Sequence, residues 1–502
     1  MMRGTVSDSC STQEDSTLSW AKFPGQSQHR FLASSIMLNR DVSVQNLAAG
    51  PVRRSRLQGW LKRRARQLIF LALICAGSLL LIACGAFVWR SASLFGLPDI
   101  GDPFDVTAFR SFRVPEDQDA VILFRQAAAK VPSLPSLPQE IIRLGPAVGW
   151  SQADPRLREW STANRDALEL FRQSTNRPDG ILHPSFDWKD NDQYLNLGPL
   201  VWLALLEGAR SEEQGEMAAA WMWYRTVLRM RVHVMRRGSV YQRFFADRLS
   251  SGLQSRIASW AADRRTDGAL LRRALEEVRA FEPKPEWDSF SLKVDYLFMM
   301  NALDSPSSWV HQADDELIDL RIAGENLPPN LVASLHDGRQ FLANEPERSR
   351  RVVRLVYANW LAYVDESNAR SGKPAVRASF RTDKQNSRLS FYAPSPTAPA
   401  GARAVSPSNL ASWLMTARNA KRTLTQWPWP SIRISERREY RAMVVLLAEE
   451  LYRRERGAPP PSEAALVGPY LDHLPGDGSD ELDDGTVPTV EDSRISIHEQ
   501  PE

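Results

Sequence analysis

Residues Leu68–Trp89, LIFLALICAGSLLLIACGAFVW, decide how the chain is laid out. The run is 22 residues long and carries no charge. At 1.5 Å per helical residue it spans about 33 Å, enough to cross a hydrocarbon core of about 30 Å. Leu68 and Trp89 are the expected ends of a membrane anchor, and Trp60 and Trp89 fall where indole rings favour the interface. Arg53, Arg54, Arg56, Lys62, Arg63, Arg64 and Arg66 precede the run; beyond it Arg90 stands alone before Asp99, Asp102 and Asp105. Basic residues stay on the cytoplasmic side. The expectation is a single pass through the inner (cytoplasmic) membrane, with the N-terminus cytoplasmic and the C-terminal body exported.

Two rival readings of this stretch are weaker. A cleaved secretory signal has an apolar core of only about 7–15 residues near the N-terminus, and this core lies behind 67 others. Leu81-Ile82-Ala83-Cys84 looks like a lipobox in which Cys84 would be lipidated, but Gly85 to Trp89 remain apolar. A start at Met37 would shorten the arm and leave the anchor intact.

The anchor divides the 502 residues into a disordered basic cytoplasmic arm (1–67), a transmembrane helix (68–89) and an extended linker (90–116). An α-helical exported domain (117–370), a Pro-rich mobile loop (371–407), a C-terminal helical portion (408–475) and an acidic disordered tail (476–502) follow. The three cysteines are Cys10, Cys75 and Cys84, so nothing after the anchor can form a disulfide. The body must rely on a hydrophobic core, which suits a bacterial envelope protein better than a small secreted domain. Sixteen tryptophans read as core residues. The net charge of +3 hides a basic arm and an acidic tail. The juxtamembrane cations set topology and attract anionic headgroups at about 1 kcal/mol each. Nucleic acid is not an expected partner.

The body reads as helix after helix. Asp117 to Val131 places Val121, Phe124, Ala128 and Val131 on one face before Pro132, Pro135 and Pro138 stop it. Asp154-Pro155 is a cap followed by proline at the first helical position, opening a helix through Leu157, Trp160, Ala167, Leu170 and Phe171. Leu195 to Gly238 is the heart of the body. An apolar helix over 200–210 meets a turn, and a long helix starts at Ser211. In it Met217, Trp221, Tyr224, Leu228, Val232 and Met235 form one stripe, and Trp223, Val227, Met230 and Val234 a second. A helix apolar on two faces is central to a bundle. The pair resembles a tetratricopeptide hairpin at Gly208, Ala220 and Tyr224, without a second copy about 34 residues away. Further helices are expected at 240–264, 267–281, 286–303, 346–368, 408–427 and 435–456. The fold class is mainly α, an all-α helical bundle or set of helical hairpins behind one N-terminal transmembrane helix.

Near the C-terminus, Leu451-Tyr452-Arg453-Arg454-Glu455-Arg456-Gly457-Ala458-Pro459-Pro460 leads into Ala464-Ala465-Leu466-Val467-Gly468-Pro469-Tyr470-Leu471-Asp472-His473-Leu474-Pro475. This cadence resembles that of membrane-anchored envelope proteins of planctomycete-type bacteria. The Leu97–Asp105 linker, Trp260–Asp263 and Ala269–Leu275 resemble them too. After Pro475 this chain departs from that pattern, with Gly476-Asp477-Gly478 in place of Asp-Pro. The resemblance implies an anchored envelope protein from a group of uncharacterised function and carries over no active-site residue.

Catalytic signatures are absent from the sequence. His29, His183, His233, His311, His336, His473 and His498 match no metal-ligand spacing, and no G-x-S-x-G, P-loop or G-x-G-x-x-G occurs. No metal or cofactor is expected. The densest polar cluster holds His183, Asp187, Asp190 and Asp192, residue types able to bind a metal or move protons, although the same composition suits a surface loop. His233, among apolar neighbours, reads as a core histidine. Arg348, Arg350, Arg351 and Arg354 form a basic stripe for solvent or an anionic partner, and Asp99, Asp102 and Asp105 read as turn and capping residues. The functional expectation is a binding or scaffold component of the envelope. It would contact the bilayer through 68–89 and an envelope protein through its body. The alternative is a membrane-anchored hydrolase whose carboxylates or histidine are dispersed in sequence.

Overall fold

The computed structural model describes residues 51–92, 94–131, 149–180, 197–249, 252–304, 344–366, 376–381, 388–392, 395–417, 419–421, 424 and 429–476. The arm before Pro51, the prolines from 132 to 138, the His183–Asp192 cluster and the acidic tail after Gly476 lie outside the described residues. The chain divides into two units, Met1–Ser78 and Leu79–Glu502, with the boundary inside the first helix. That helix, α1 (Pro51–Ala92), extends the apolar run at both ends. Its segment Arg64–Ala92 is long and apolar enough to cross a membrane, and none of its most apolar window is buried by protein.

After α1 the chain turns at Ser91–Leu97, with the Leu97 N–H donating to the Leu94 carbonyl. The expected extended linker is in fact a packed strap that contains a short helix, α2 (Val106–Ser111). Asp105 caps it by accepting from the Ala108 N–H at 2.9 Å.

The body is mainly helical. It begins with α3 (Ala120–Lys130), α4 (Pro155–Ala163) and α5 (Arg165–Ser174). Asp119 and Asp154 cap α3 and α4 through backbone N–H groups two residues on. The helix read through Phe171 therefore breaks once, at Asn164, whose side chain donates to the Trp160 carbonyl. Next come α6 (Leu197–Glu213) and α7 (Met217–Arg237), an antiparallel hairpin. The turn falls at Gln214–Glu216, later than the sequence suggests. Gly215 takes φ +81°, and the Glu216 and Gly215 N–H groups close back on Ser211 and Glu212. This glycine-capped ending keeps Ser211 and Glu212 helical and buried.

Then follow α8 (Val240–Leu249), α9 (Leu253–Ala262), α10 (Gly268–Arg279), α11 (Pro285–Asp304) and α12 (Glu345–Glu366). The single helix expected over 240–264 is thus two, separated at Gly252. The fold is not all-α. Within the segment expected to be a mobile loop, β1 (Val376–Arg381) and β2 (Arg388–Tyr392) pair antiparallel. The apolar–polar alternation of Val376-Arg377-Ala378-Ser379-Phe380 is a strand period too short to stand out from a proline-rich setting. The side chain of Asn359 on α12 holds the end of β2, donating to the Tyr392 carbonyl and accepting its N–H. The chain closes with α13 (Ala400–Arg403), α14 (Pro407–Thr416) and α15 (Trp429–Arg456).

Among the described residues two large apolar cores form, beside a small cluster of Val232, Met235 and Trp287. The first gathers α3, α5, α6, α7, α9, α10 and the C-terminal part of α15; the second gathers α11, α12, β2, α14, the strap and the start of α15. Helix α15 serves both, with Trp429 and Ile432 in one and Val444, Leu447 and Leu451 in the other. Tryptophans fill much of both cores: Trp221 stacks on Trp260 at 5.0 Å, and Trp360 lies 6.0 Å from Trp429.

The α6/α7 crossing depends on Gly208. A Cβ there would clash with the edge of the Tyr224 ring, which is fully buried. Gly208→Ala should destabilise the body by about 1–3 kcal/mol through overpacking. Guanidinium unfolding of the full chain in detergent, followed by circular dichroism, checks this as a lowered midpoint.

Candidate functional site

Of the residues singled out in the sequence, His183, Asp187, Asp190 and Asp192 lie outside the described residues. Leu68 and Trp89 are on α1 with 64% and 68% of their surface exposed, and Cys84 and Cys75 are exposed on the same helix. His233 is buried on α7, its ring edge-on to Phe124 at 6.0 Å. Burial, with Arg236 nearby, pushes its pKa down to about 4, so it is a neutral core histidine at pH 7.

The basic stripe on α12 is half-buried and paired within the body. Arg350 pairs with Asp304 at 2.6 Å and Arg351 with Glu347 at 2.9 Å. Arg354 pairs with Asp99 at 3.0 Å, and Arg351 also donates to the Leu97 carbonyl at 3.2 Å. Two features that the sequence presents separately, linker aspartates and stripe arginines, are therefore partners.

Sequence reasoning missed the densest charge cluster in the body, which lies where the two apolar cores meet. Arg243 on α8 grips both oxygens of Glu436 on α15, with its Nε at 2.8 Å from Oε1. It also reaches Asp288 on α11 at 2.7 Å and the Ser291 hydroxyl at 3.2 Å. Arg433 on α15 meets the other Asp288 oxygen at 2.7 Å. None of the four charged side chains is more than 4% exposed. Burial raises the Asp288 carboxyl, but Arg243 and Arg433 outweigh it and hold the pKa below its usual value. Two cations and two anions cancel, as a low-dielectric interior demands.

Two turns along α11, Asp295 is buried and accepts the Val240 N–H at 3.2 Å. Burial pushes its pKa up to about 8 against that bond and Arg243, so it is protonated at pH 7. The signal available in the sequence was a pair of aspartates seven residues apart, two helical turns, within an otherwise mainly apolar helix.

A second cluster reaches solvent. Arg231 on α7 bridges Asp247 on α8 at 2.7 Å and Glu439 on α15 at 2.5 Å. Burial, with Glu439 close by, raises Asp247 to about 7 despite Arg231. A carboxyl pair that holds a proton near neutrality is a feature of acid–base sites. The adjoining cleft, which includes Leu228, Arg231, Glu436 and Tyr440, measures only about 20 Å³, room for about one water. Among the described residues, two larger depressions, about 450 Å³ beside Arg272, Arg273 and Glu455 and about 420 Å³ beside Phe109, Phe112 and Lys293, do not adjoin this pair. A third cluster joins Glu212, the Tyr224 hydroxyl and Arg256 within the first core. Among the described residues no three His, Cys, Asp or Glu side chains assemble as metal ligands.

Comparisons with protein-family profiles, curated proteins and solved structures find no match to this chain.

Two outcomes test the junction between the cores. Arg243→Met removes the guanidinium that grips Glu436 and one of the cations facing Asp288, and should cost about 3–5 kcal/mol in chemical unfolding. Asp295 has a folded pKa above its unfolded value, so the folded state binds the extra proton between about pH 4 and pH 8. Stability is therefore lost as pH rises through that window, at up to about 1.4 kcal/mol per pH unit. Asp295→Asn keeps the acceptor for Val240 and removes the proton. Its melting temperature relative to the unsubstituted chain should climb from pH 5 to pH 8.

Proposed function

We propose that the chain is a single-pass membrane protein that acts by binding, as a scaffold or assembly component of a bacterial envelope. In this reading α1 crosses the cytoplasmic membrane, the N-terminal arm is inside, and the helical body is exported. One observation carries the proposal. The helical segment Arg64–Ala92 is long and apolar enough to cross a membrane, and its most apolar window has no protein cover; lipid is the solvent that accepts such a surface. The arginines before it and the aspartates after it support the orientation. The resemblance of the Leu97–Asp105 and Leu451–Pro475 stretches to anchored envelope proteins points the same way. The charges of the body support binding over chemistry. Arg243, Asp288, Arg433 and Glu436 neutralise one another in the interior instead of converging on a cavity.

A membrane-anchored hydrolase is the second reading, and Asp247 with Glu439 is the observation in its favour. It requires a cleft that admits substrate beside that pair.

Alkaline carbonate extraction should leave the full chain in the membrane pellet, and release into the supernatant would overturn the anchor. Alkaline phosphatase fused after Gly476 should be active, whereas a reporter active only in the cytoplasm would reverse the topology. Crosslinking in intact cells should capture a stoichiometric protein partner that survives alanine substitution of His183, Asp187 and Asp190. Finding no partner would overturn the scaffold role.

A further inference from the structure

Between the end of α1 and the body the chain has almost no slack. Helix α1 ends at Ala92, and Leu97 is already buried in the second core, with 4% of its surface exposed. Five residues reach at most about 17 Å when fully extended. These are not extended, because Leu94, Phe95 and Leu97 donate backbone bonds to Ser91, Ala92 and Leu94.

From Leu97 onward the strap is held along its whole length. Asp99 accepts from Arg354, and the Tyr296 hydroxyl donates to Asp102. The Phe104 ring stands edge-on to Tyr296 at 5.4 Å, and Phe109 lies 5.0 Å from Phe290 on α11. Ile100 presses so closely on Gly401 that a Cβ there would approach its Cγ2 at 2.6 Å. The ion pairs are half-exposed and alone would yield to salt. The apolar packing of buried Leu97 and half-buried Ile100, Phe104 and Phe109 does not depend on ionic strength, so the attachment persists. A free linker over 90–116 would instead reach about 90 Å.

We infer that residues 94–112 are a fixed mount that confines the body to the bilayer surface, so that the partner it binds is a membrane-borne protein presented there. The inference rests on the reading of α1 as a membrane span. The mount makes a different use of this sequence from a flexible tether. A tether lets a domain search the depth of the envelope, whereas a mount holds it in register with neighbours in the same membrane. The surface of the body fits this use. Among the described residues after α1, the exposed large apolar side chains are Phe95 beside the anchor and the scattered Phe112, Met222 and Val467. These scattered side chains do not join into a broad apolar face among the described residues.

The test uses the full chain with Cys10, Cys75 and Cys84 replaced by serine, a donor dye on Asp304→Cys and acceptor-labelled headgroups in phosphatidylcholine–phosphatidylglycerol vesicles. Asp304 pairs with Arg350, next to the Arg351 that holds Leu97. A second version carries a flexible Gly/Ser insert of about 30 residues between Ala92 and Ser93, which leaves the strap docked and adds a root-mean-square reach of about 30 Å. Energy transfer should fall at least twofold on insertion, and equal transfer in the two versions would overturn the mount. In cells, crosslinks to the membrane-borne partner should fall at least fivefold on insertion. An unchanged yield, or a partner recovered only from the soluble fraction, would overturn the partner assignment. Carbonate extraction of both versions beforehand reports separately on α1, so loss of the anchor is not mistaken for loss of the mount.

Discussion

Neutralisation of charge inside the body is the constraint on which its architecture depends. Arg243, Asp288, Arg433 and Glu436 come from α8, α11 and α15 and lie between two apolar cores. Each would be costly alone in that setting, by several kcal/mol after relaxation. Together they leave no net charge and define how the three helices meet. A slide of α15 by one turn would part Glu436 from Arg243 and Arg433 from Asp288 at once. Apolar packing alone tolerates such shifts more easily, because one leucine can replace another in a similar hole. The network thus makes one alignment of the cores far better than its neighbours.

Helix α15 gains its central place from this arrangement. Its first turns pack with β2 and α12, and its later turns with α9 and α10. The strap adds a third connection, since its aromatic residues complete the second core. Phe104 and Phe109 meet Tyr296 and Phe290, and these lie on the helix that also carries Asp288 and Asp295. Anchor attachment, core packing and charge neutralisation therefore share α11. Helix α11 is correspondingly buried nearly all round, which explains its weak amphipathic pattern in sequence.

Local signals in the chain foretold most of the helices. Asp154-Pro155 and Asp267 mark starts through hydrogen bonds that span two or three residues, and Gly215 marks a stop through its left-handed backbone. Errors arose where two local signals competed. Ser211 and Glu212 look like a helix start, but burial of Glu212 against Tyr224 and Arg256 keeps them in the preceding helix. Residues 376–381 alternate like a strand, yet their strand state requires β2, which lies beyond Arg381. The linker looked extended because Pro98, Gly101 and Pro103 break helices; whether a broken segment hangs free or packs depends on what lies opposite. Of the charged groups later found in clusters, the sequence singled out only those close together along the chain.

What the sequence determined by itself is the apolar span Leu68–Trp89, the charge asymmetry around it and the mainly helical character of the body. Each follows from residues within a few turns of one another, because backbone hydrogen bonding and side-chain periodicity act over that range. Only the tertiary structure decided that Arg354 meets Asp99 from 255 residues away, that Arg243 meets Glu436 from 193, and that the linker is bound to the body. Such pairs leave no periodic trace. Any arginine suits any carboxylate chemically, and the packing of the surrounding helices selects which two meet.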